Sequence, residues 1–102
     1  MKPVFHPAAR AELAAGADWY DERVSGLGDE LISAVELATA LIVEAPGRLP
    51  VVSVDTRARR VVVKDFPFTV VYTIAGDTVF ILAIAHQKRR PFYWKRRLDD
   101  SP

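Results

Sequence analysis

Residues 59–86 read RRVVVKDFPFTVVYTIAGDTVFILAIAH, and this stretch decides the fold. Its side chains change to a period of two, which is typical of strands. Residues 59–65 are rich in β-branched side chains, and residues 68–75 alternate between two faces. Gly76 and Asp77 favour a hairpin turn, after which residues 78–86 are apolar on both faces, as in a central strand. The stretch therefore predicts three consecutive antiparallel strands.

Two amphipathic helices precede these strands. The first is predicted from Ala8 to about Val24, and the second from about Leu27 to Ala45. Their apolar side chains recur at spacings of three and four, which predicts one buried face per helix. These positions are Ala9, Leu13, Ala17, Tyr20 and Val24 in the first helix and Leu27, Leu31, Ala34, Val35, Ala38, Leu41 and Ile42 in the second. The short break at 25–28 predicts a helical hairpin.

The order of elements predicts the fold class. A short extended segment at Pro3–His6 opens the chain, so the predicted order is β-α-α-β-β-β. A helical hairpin that packs on a three- to four-stranded antiparallel sheet makes an α+β protein. Its 102 residues fit one small domain, and we expect residues 1–102 to form a single unit.

Composition excludes several classes of site. The chain has no cysteine, so it has neither disulfides nor thiolate metal ligands. His6 and His86 are too isolated to suggest a metal site, and no standard cofactor or enzyme motif occurs. The N-terminus lacks the apolar core of a signal peptide, and the longest apolar run, Val79–Ala85, is far shorter than a membrane span. We therefore expect a cytoplasmic protein that contacts no membrane and uses no metal or cofactor.

The near-neutral net charge conceals an asymmetry. Residues 1–56 carry four Lys/Arg and nine Asp/Glu, whereas residues 57–102 carry ten and four. The C-terminal half alone would attract a polyanion or an acidic protein. The alternative is that the two halves pack together and neutralise each other. The acids of the first helix, Glu12, Asp18, Asp21 and Glu22, are expected on a solvated face.

The segment HQKRRPFYWKRR, residues 86–97, interleaves cations with three aromatic rings. Such a segment can hold phosphates and stack bases. As a ribonuclease site it would use His86 as acid or base, Arg60 or Arg89 to hold the phosphate, and Tyr93 to stack a base or donate a proton. The alternative is that His86 caps a strand end and Tyr93 packs on the sheet.

Three segments, in their order, resemble the RelE/ParE superfamily of type II toxin–antitoxin toxins, in the branch of plasmid-stabilisation proteins. They are AARAELAAGADWYDER, LGDELISAVELATALIVEAPG and RRVVVKDFPFTVVYTIAGDTVFILAIAHQKRRPFYW, and the resemblance spans roughly residues 3–97. It implies a compact toxin that a small cognate antitoxin wraps and neutralises in a hetero-oligomer. RelE-like members cleave mRNA on the ribosome without a metal, whereas ParE-like members inhibit DNA gyrase and are not nucleases.

The residue pattern favours the ParE-like branch. Arg60 and Tyr93 match positions that the nucleases use. Thr69, Val62 and Gln87 stand where those nucleases carry basic groups. Each missing donor in a phosphoryl-transfer site is worth ~10²–10³-fold in rate. We therefore expect a toxin that binds a target such as gyrase.

Two alternatives stay open at this point. One is an mRNA endoribonuclease with an atypical site, and the other is a degenerate member that binds a partner and harms nothing. The candidate catalytic residues are Arg60, His86, Arg89 and Tyr93. The candidate target- or antitoxin-binding residues are Arg59, Arg60, Lys64, Lys88, Arg89, Arg90, Phe92, Tyr93 and Trp94.

Overall fold

A computed structural model describes residues 1–102, and it confirms the predicted α+β class and element order. The elements are β1 (Lys2–Phe5), α1 (Pro7–Arg23), α2 (Leu27–Glu44), β2 (Arg59–Val62), β3 (Phe68–Ala75) and β4 (Thr78–His86), followed by a 3₁₀ helix (Lys95–Asp100). Pro7 occupies the first turn of α1, where its missing N–H costs no hydrogen bond. None of the helices is long and apolar enough to cross a membrane.

The sheet is mixed, and not wholly antiparallel as predicted. Its strand order is β1-β4-β3-β2, with both β2–β3 and β3–β4 antiparallel. β1 pairs with β4 in parallel, from Lys2 opposite Thr78 to Phe5 opposite Ile81. The helical hairpin and the connection over 45–58 return the chain to the end of the sheet where β1 begins. β1 and β2 therefore run in the same direction, and β4 shares it.

β2 ends at Val62, three residues before the predicted end. The Val63 N–H already donates to the Phe68 carbonyl at 2.9 Å, which closes a tight turn. Asp65 adopts a left-handed backbone with φ of 68°, a conformation that aspartate tolerates better than most residues. The turn therefore replaces the last residues of the predicted strand.

The helical hairpin covers one face of the sheet. Leu31, Val35 and Ile42 of α2 form one apolar cluster with Tyr72 and Ile81 of the sheet, all of them essentially inaccessible to solvent. Two positions of the predicted buried helix faces are exposed. Val24 is 58% exposed because α1 has ended and the backbone is extended there, and Leu41 is 57% exposed on the outer side of α2.

The opposite face of the sheet carries a second apolar cluster. Val71, Phe80, Leu82 and Trp94 belong to it, and Val52 of the long connection packs against it. The C-terminal segment thus crosses the sheet and covers the face that the helices leave open. β4 is buried on both faces, as its sequence predicts.

Candidate functional site

The chain turns sharply where β4 ends, and the turn is fixed at its start. The Gln87 N–H donates to the Pro67 carbonyl at 2.9 Å, and the Lys88 N–H donates to His86 Nδ1 at 3.1 Å. Because Nδ1 accepts this bond, neutral His86 carries its proton on Nε2. Lys88, Arg89 and Arg90 follow in exposed positions. We call residues 86–93 the basic edge.

A carboxylate from α1 lies against this edge. Glu12 Oε2 accepts from the Tyr93 hydroxyl at 2.7 Å, and Arg97 donates to both carboxylate oxygens at 2.9 and 3.0 Å. The Ile84 N–H donates to Oε1 at 3.1 Å. The side chains of Glu12 and Arg97 are only 15% and 17% exposed. We call Glu12, Tyr93 and Arg97 the Glu12 cluster.

The expectation that Glu12 lies on a solvated face is wrong. Position 12 falls three residues after buried Ala9, so it lies beside the inward side of α1. That spacing is a signal in the sequence. Its partner Arg97 is 85 residues away, and nothing in the local pattern indicates it.

Tyr93 holds its proton tightly. Burial, the hydrogen bond to Glu12 and the Glu12 charge raise the pKa of its phenol well above the ordinary value, against the opposing charges of Arg97 and Arg89. The Arg89 guanidinium lies over the ring, 3.9 Å from its centroid. The Tyr93 hydroxyl is therefore a donor committed to Glu12, and a poor group for passing a proton to a leaving oxygen.

Two open grooves flank the basic edge. The first, of about 640 Å³, lies between α1 and the ends of β3 and β4. Its lining includes Gly16, Trp19, Tyr20, Phe68, Ile84 and Lys88. The second, of about 400 Å³, lies on the other face of the sheet, beside the long connection. His86, Gln87, Arg89 and Tyr93 line both grooves.

The structure gathers the four candidate catalytic residues around the second groove. Arg60 and Arg89 reach it from different elements, together with His86 and Tyr93. Sequence alone left open whether these groups meet. The charges of Arg60 and Arg89 can attract an anion.

The groups that a RelE-like nuclease would add here are missing. Thr69 and Gln87, the positions at which the resemblance to RelE-like nucleases implies arginine, line the second groove. Val62 is 69% exposed at the end of β2 and adds no charge. The groove therefore offers cations for binding but fewer donors aimed at a reacting phosphate.

Among the other candidate binding residues, two are not free surface groups. Trp94 is only 4% exposed because its indole packs on Val71 and Phe80 in the second cluster, so the expectation of a Trp94 contact to a partner fails on burial. One guanidinium nitrogen of Arg59 donates to the Leu49 carbonyl and so fastens the long connection. Lys64 is exposed in the β2–β3 turn and lines neither groove.

Phe92 and Arg90 project from the edge into solvent. Phe92 is 42% exposed and has φ of 60°, a left-handed backbone that bulky residues rarely adopt. Its ring is 5.8 Å from that of Trp94. Such strain at an exposed aromatic ring is typical of a binding surface. No group of three or more histidine or carboxylate side chains is arranged to hold a metal ion.

Comparison with known proteins gives one family. The family model described as ParE toxin of type II toxin-antitoxin system, parDE, matches residues 4–91. No curated protein matches the chain in sequence. A solved chain from the chromosomal ParDE toxin–antitoxin system of P. aeruginosa shares the fold at a TM-score of 0.64 and 21% identity, covering 84% of this chain and 95% of that one. Because the family match spans most of the sequence, the chain belongs to the ParE toxin family of type II toxin–antitoxin systems.

Proposed function

We propose that this ParE toxin stops growth by binding DNA gyrase through the basic edge, without cleaving RNA. The proposal rests on which hydrogen-bond donors line the second groove. Thr69 and Gln87 leave it without two donors, and the Tyr93 hydroxyl is bound to Glu12. Exposed cations and the strained Phe92 remain, and they suit a protein contact of mixed charge and aromatic character.

A growth and supercoiling experiment tests the proposal. Controlled expression should arrest growth with DNA damage while transcripts stay intact, and the purified protein should inhibit supercoiling by gyrase. The Lys88→Glu/Arg90→Glu variant should lose inhibition. Its matched control is Lys2→Glu/Arg48→Glu, which makes the same charge change at exposed positions away from the basic edge. Rapid ribosome-dependent mRNA cleavage would overturn the proposal, and unchanged growth would indicate a degenerate member.

One observation favours the ribonuclease alternative. Arg60, His86, Arg89 and Tyr93 line one groove, so the minimal parts of an atypical site are close together. His86→Ala should then abolish RNA cleavage and toxicity in a protein that still folds. Tyr93→Phe should do the same if the phenol acts as an acid. Full toxicity of both variants excludes this alternative.

We also propose that a ParD-type antitoxin neutralises the toxin by covering the first groove and the basic edge. The lining of the first groove combines apolar groups, among them the 50% exposed Trp19, with the cations Lys88 and Arg89. The only carboxylate there, Glu12, is already saturated by its own partners. An amphipathic acidic segment therefore complements it. Co-expression with the neighbouring reading frame should yield a soluble hetero-oligomer, and Lys88→Glu/Arg89→Glu should weaken it.

A further inference from the structure

We infer that Glu12 is the positioning residue of the basic edge, which it holds in its binding conformation through Arg97 and Tyr93. The inference rests on the proposed function only where gyrase inhibition is the measurement. The measurements of Trp94 emission and of amide chemical shifts test it whatever the target is. Glu12 itself lies beneath the edge, and Arg89 is the one exposed cation beside it, with a guanidinium nitrogen 4.0 Å from Glu12 Oε2.

The hydrogen bonds of Glu12 join three parts of the chain to α1. Ile84 belongs to β4, Tyr93 to the basic edge, and Arg97 to the 3₁₀ helix. One carboxylate thus accepts four bonds, which is close to the full capacity of its two oxygens. Arg97 also donates to the Leu82 carbonyl at 3.0 Å, so the same guanidinium is fixed to β4. Glu12 is therefore the shared acceptor at the point where these elements meet.

Glu12 holds the C-terminal end of the basic edge, at Tyr93. Its first end is held by the bond from Gln87 to Pro67, and the bonds Arg89 to His86 and Tyr93 to Arg90 lie within the turn itself. Arg89 stacks on Tyr93, so a displaced Tyr93 ring carries the Arg89 guanidinium with it. Loss of the Glu12 charge should therefore move the cations that face the partner.

A separate contact holds the far end of the C-terminal segment. His6 Nε2 lies 2.7 Å from Asp100 Oδ2, at the last residue of the 3₁₀ helix. This contact lies seven residues beyond Tyr93 and reaches none of the edge cations. It provides a comparison within the same segment, because Asp100→Asn loosens the segment without touching Glu12.

The experiment compares Glu12→Gln with Glu22→Gln. Both remove one negative charge from α1, but Glu22 is 76% exposed and its one ion pair is with Arg23. In a Trp19→Phe background Trp94 is the sole tryptophan, so its emission reports whether the segment stays on the sheet. We expect Glu12→Gln to red-shift Trp94 emission and to weaken gyrase inhibition about tenfold or more. Glu22→Gln and Asp100→Asn should change inhibition by less than about threefold.

A second variant keeps the inference falsifiable if Glu12→Gln does not fold. Arg97→Lys retains one ion pair with Glu12, and it should recover most of the inhibition that Arg97→Ala loses. A global destabilisation would lower helical circular dichroism and gyrase inhibition together, whereas misplacement of the edge lowers inhibition in a protein whose helical circular dichroism is unchanged.

Two results would overturn the inference. In the first, Glu12→Gln folds and leaves both Trp94 emission and inhibition unchanged. In the second, emission shifts but inhibition persists, so the edge needs no fixed position. If the wild-type protein does not inhibit gyrase at all, the proposed target fails. The amide chemical shifts of residues 86–93, compared between Glu12→Gln and Glu22→Gln, then test the positioning role without any target.

Discussion

Arg97 and Glu12 form a two-point ion pair that joins the last helical turn of the chain to its first helix, across 85 residues of sequence. Both side chains are more than four-fifths buried. Parallel hydrogen bonds between a guanidinium and a carboxylate fix orientation as well as distance. The pair therefore determines how the C-terminal segment lies on the sheet, and the fold depends on both ends of the chain.

Removal of Arg97 should destabilise the protein strongly. Arg97→Ala leaves the Glu12 carboxylate poorly solvated without its main cation, and breaking a pair of this kind costs about 3 kcal/mol. Urea denaturation followed by circular dichroism measures the loss. Arg96→Ala, at the exposed neighbouring position, should stay within about 0.5 kcal/mol of wild type. Equal effects of the two variants would contradict the role assigned to the pair.

Gly28 permits the close approach of α1 and α2. A Cβ atom at this position would overlap the Ala17 carbonyl oxygen and lie 2.6 Å from Asp21 Oδ2. Asp21 also accepts from the Gly28 N–H at 2.7 Å, so the contact cannot relax without losing a bond. Gly28→Ala should cost about 2–3 kcal/mol in the free energy of unfolding. Gly47→Ala, where the added methyl meets nothing within 4 Å, is the control and should be neutral or slightly stabilising.

Tyr93 makes the free energy of unfolding depend on pH in the alkaline range. Its pKa is raised in the folded state above the ordinary value of 10.0, chiefly by burial and by Glu12. Above that pH the unfolded chain releases a proton that the folded protein still holds, so stability falls as the pH rises. The contribution is fully present below about pH 10 and is lost progressively as the pH rises from there through the raised pKa of the folded state.

Tyr93→Phe should therefore flatten the loss of stability between about pH 10 and pH 12. Glu12→Gln should flatten it in part, because the charge that raises the pKa of Tyr93 is gone. The buried Tyr72, whose pKa is also raised by burial, stays in both variants and sets the remaining slope. Thermal denaturation across this pH range provides the measurement, and identical slopes in wild type and Tyr93→Phe would count against the assigned cause.

Substitution of Trp94 should lower stability, whereas substitution of Phe92 should affect binding of the target. Trp94→Ala removes a buried indole and should cost about 3–5 kcal/mol. Phe92→Gly relieves a left-handed backbone worth about 1 kcal/mol, so its stability should equal or exceed that of wild type. Chemical denaturation of both variants and gyrase inhibition by Phe92→Gly test this. A stable Phe92→Gly protein with full inhibition would show that the exposed ring is not a target contact.

The sequence predicts the helices and the three consecutive strands because their signals are local. Alternation in 68–75, the turn at Gly76 and Asp77, and the spacing of Leu31, Val35 and Ile42 each indicate one element. The parallel pairing of β1 is not local. Four residues carry too little pattern to indicate an edge or a direction, and β1 meets its partner only through the path of the whole chain.

The candidate site was predictable in position but not in geometry. The run of cations after β4 locates the basic edge. The sequence does not indicate which of three consecutive rings, Phe92, Tyr93 and Trp94, is buried, because the left-handed backbone at Phe92 changes their directions. Nor does it indicate that Glu12 accepts from Tyr93, since that bond depends on packing between the two ends of the chain.

The pairing of β1 with β4 has a consequence for biosynthesis. Lys2 to Phe5 are made long before their partners Thr78 to Ile81, which follow 76 residues later in the sequence. Long-range strand pairing of this kind is slow and comes late in folding. A ribosome-bound chain that stops before β4 should therefore be sensitive to protease along its whole exposed length. The basic edge begins where β4 ends, so it can take up its position on the sheet only after β4 has been synthesised and has joined β1 and β3.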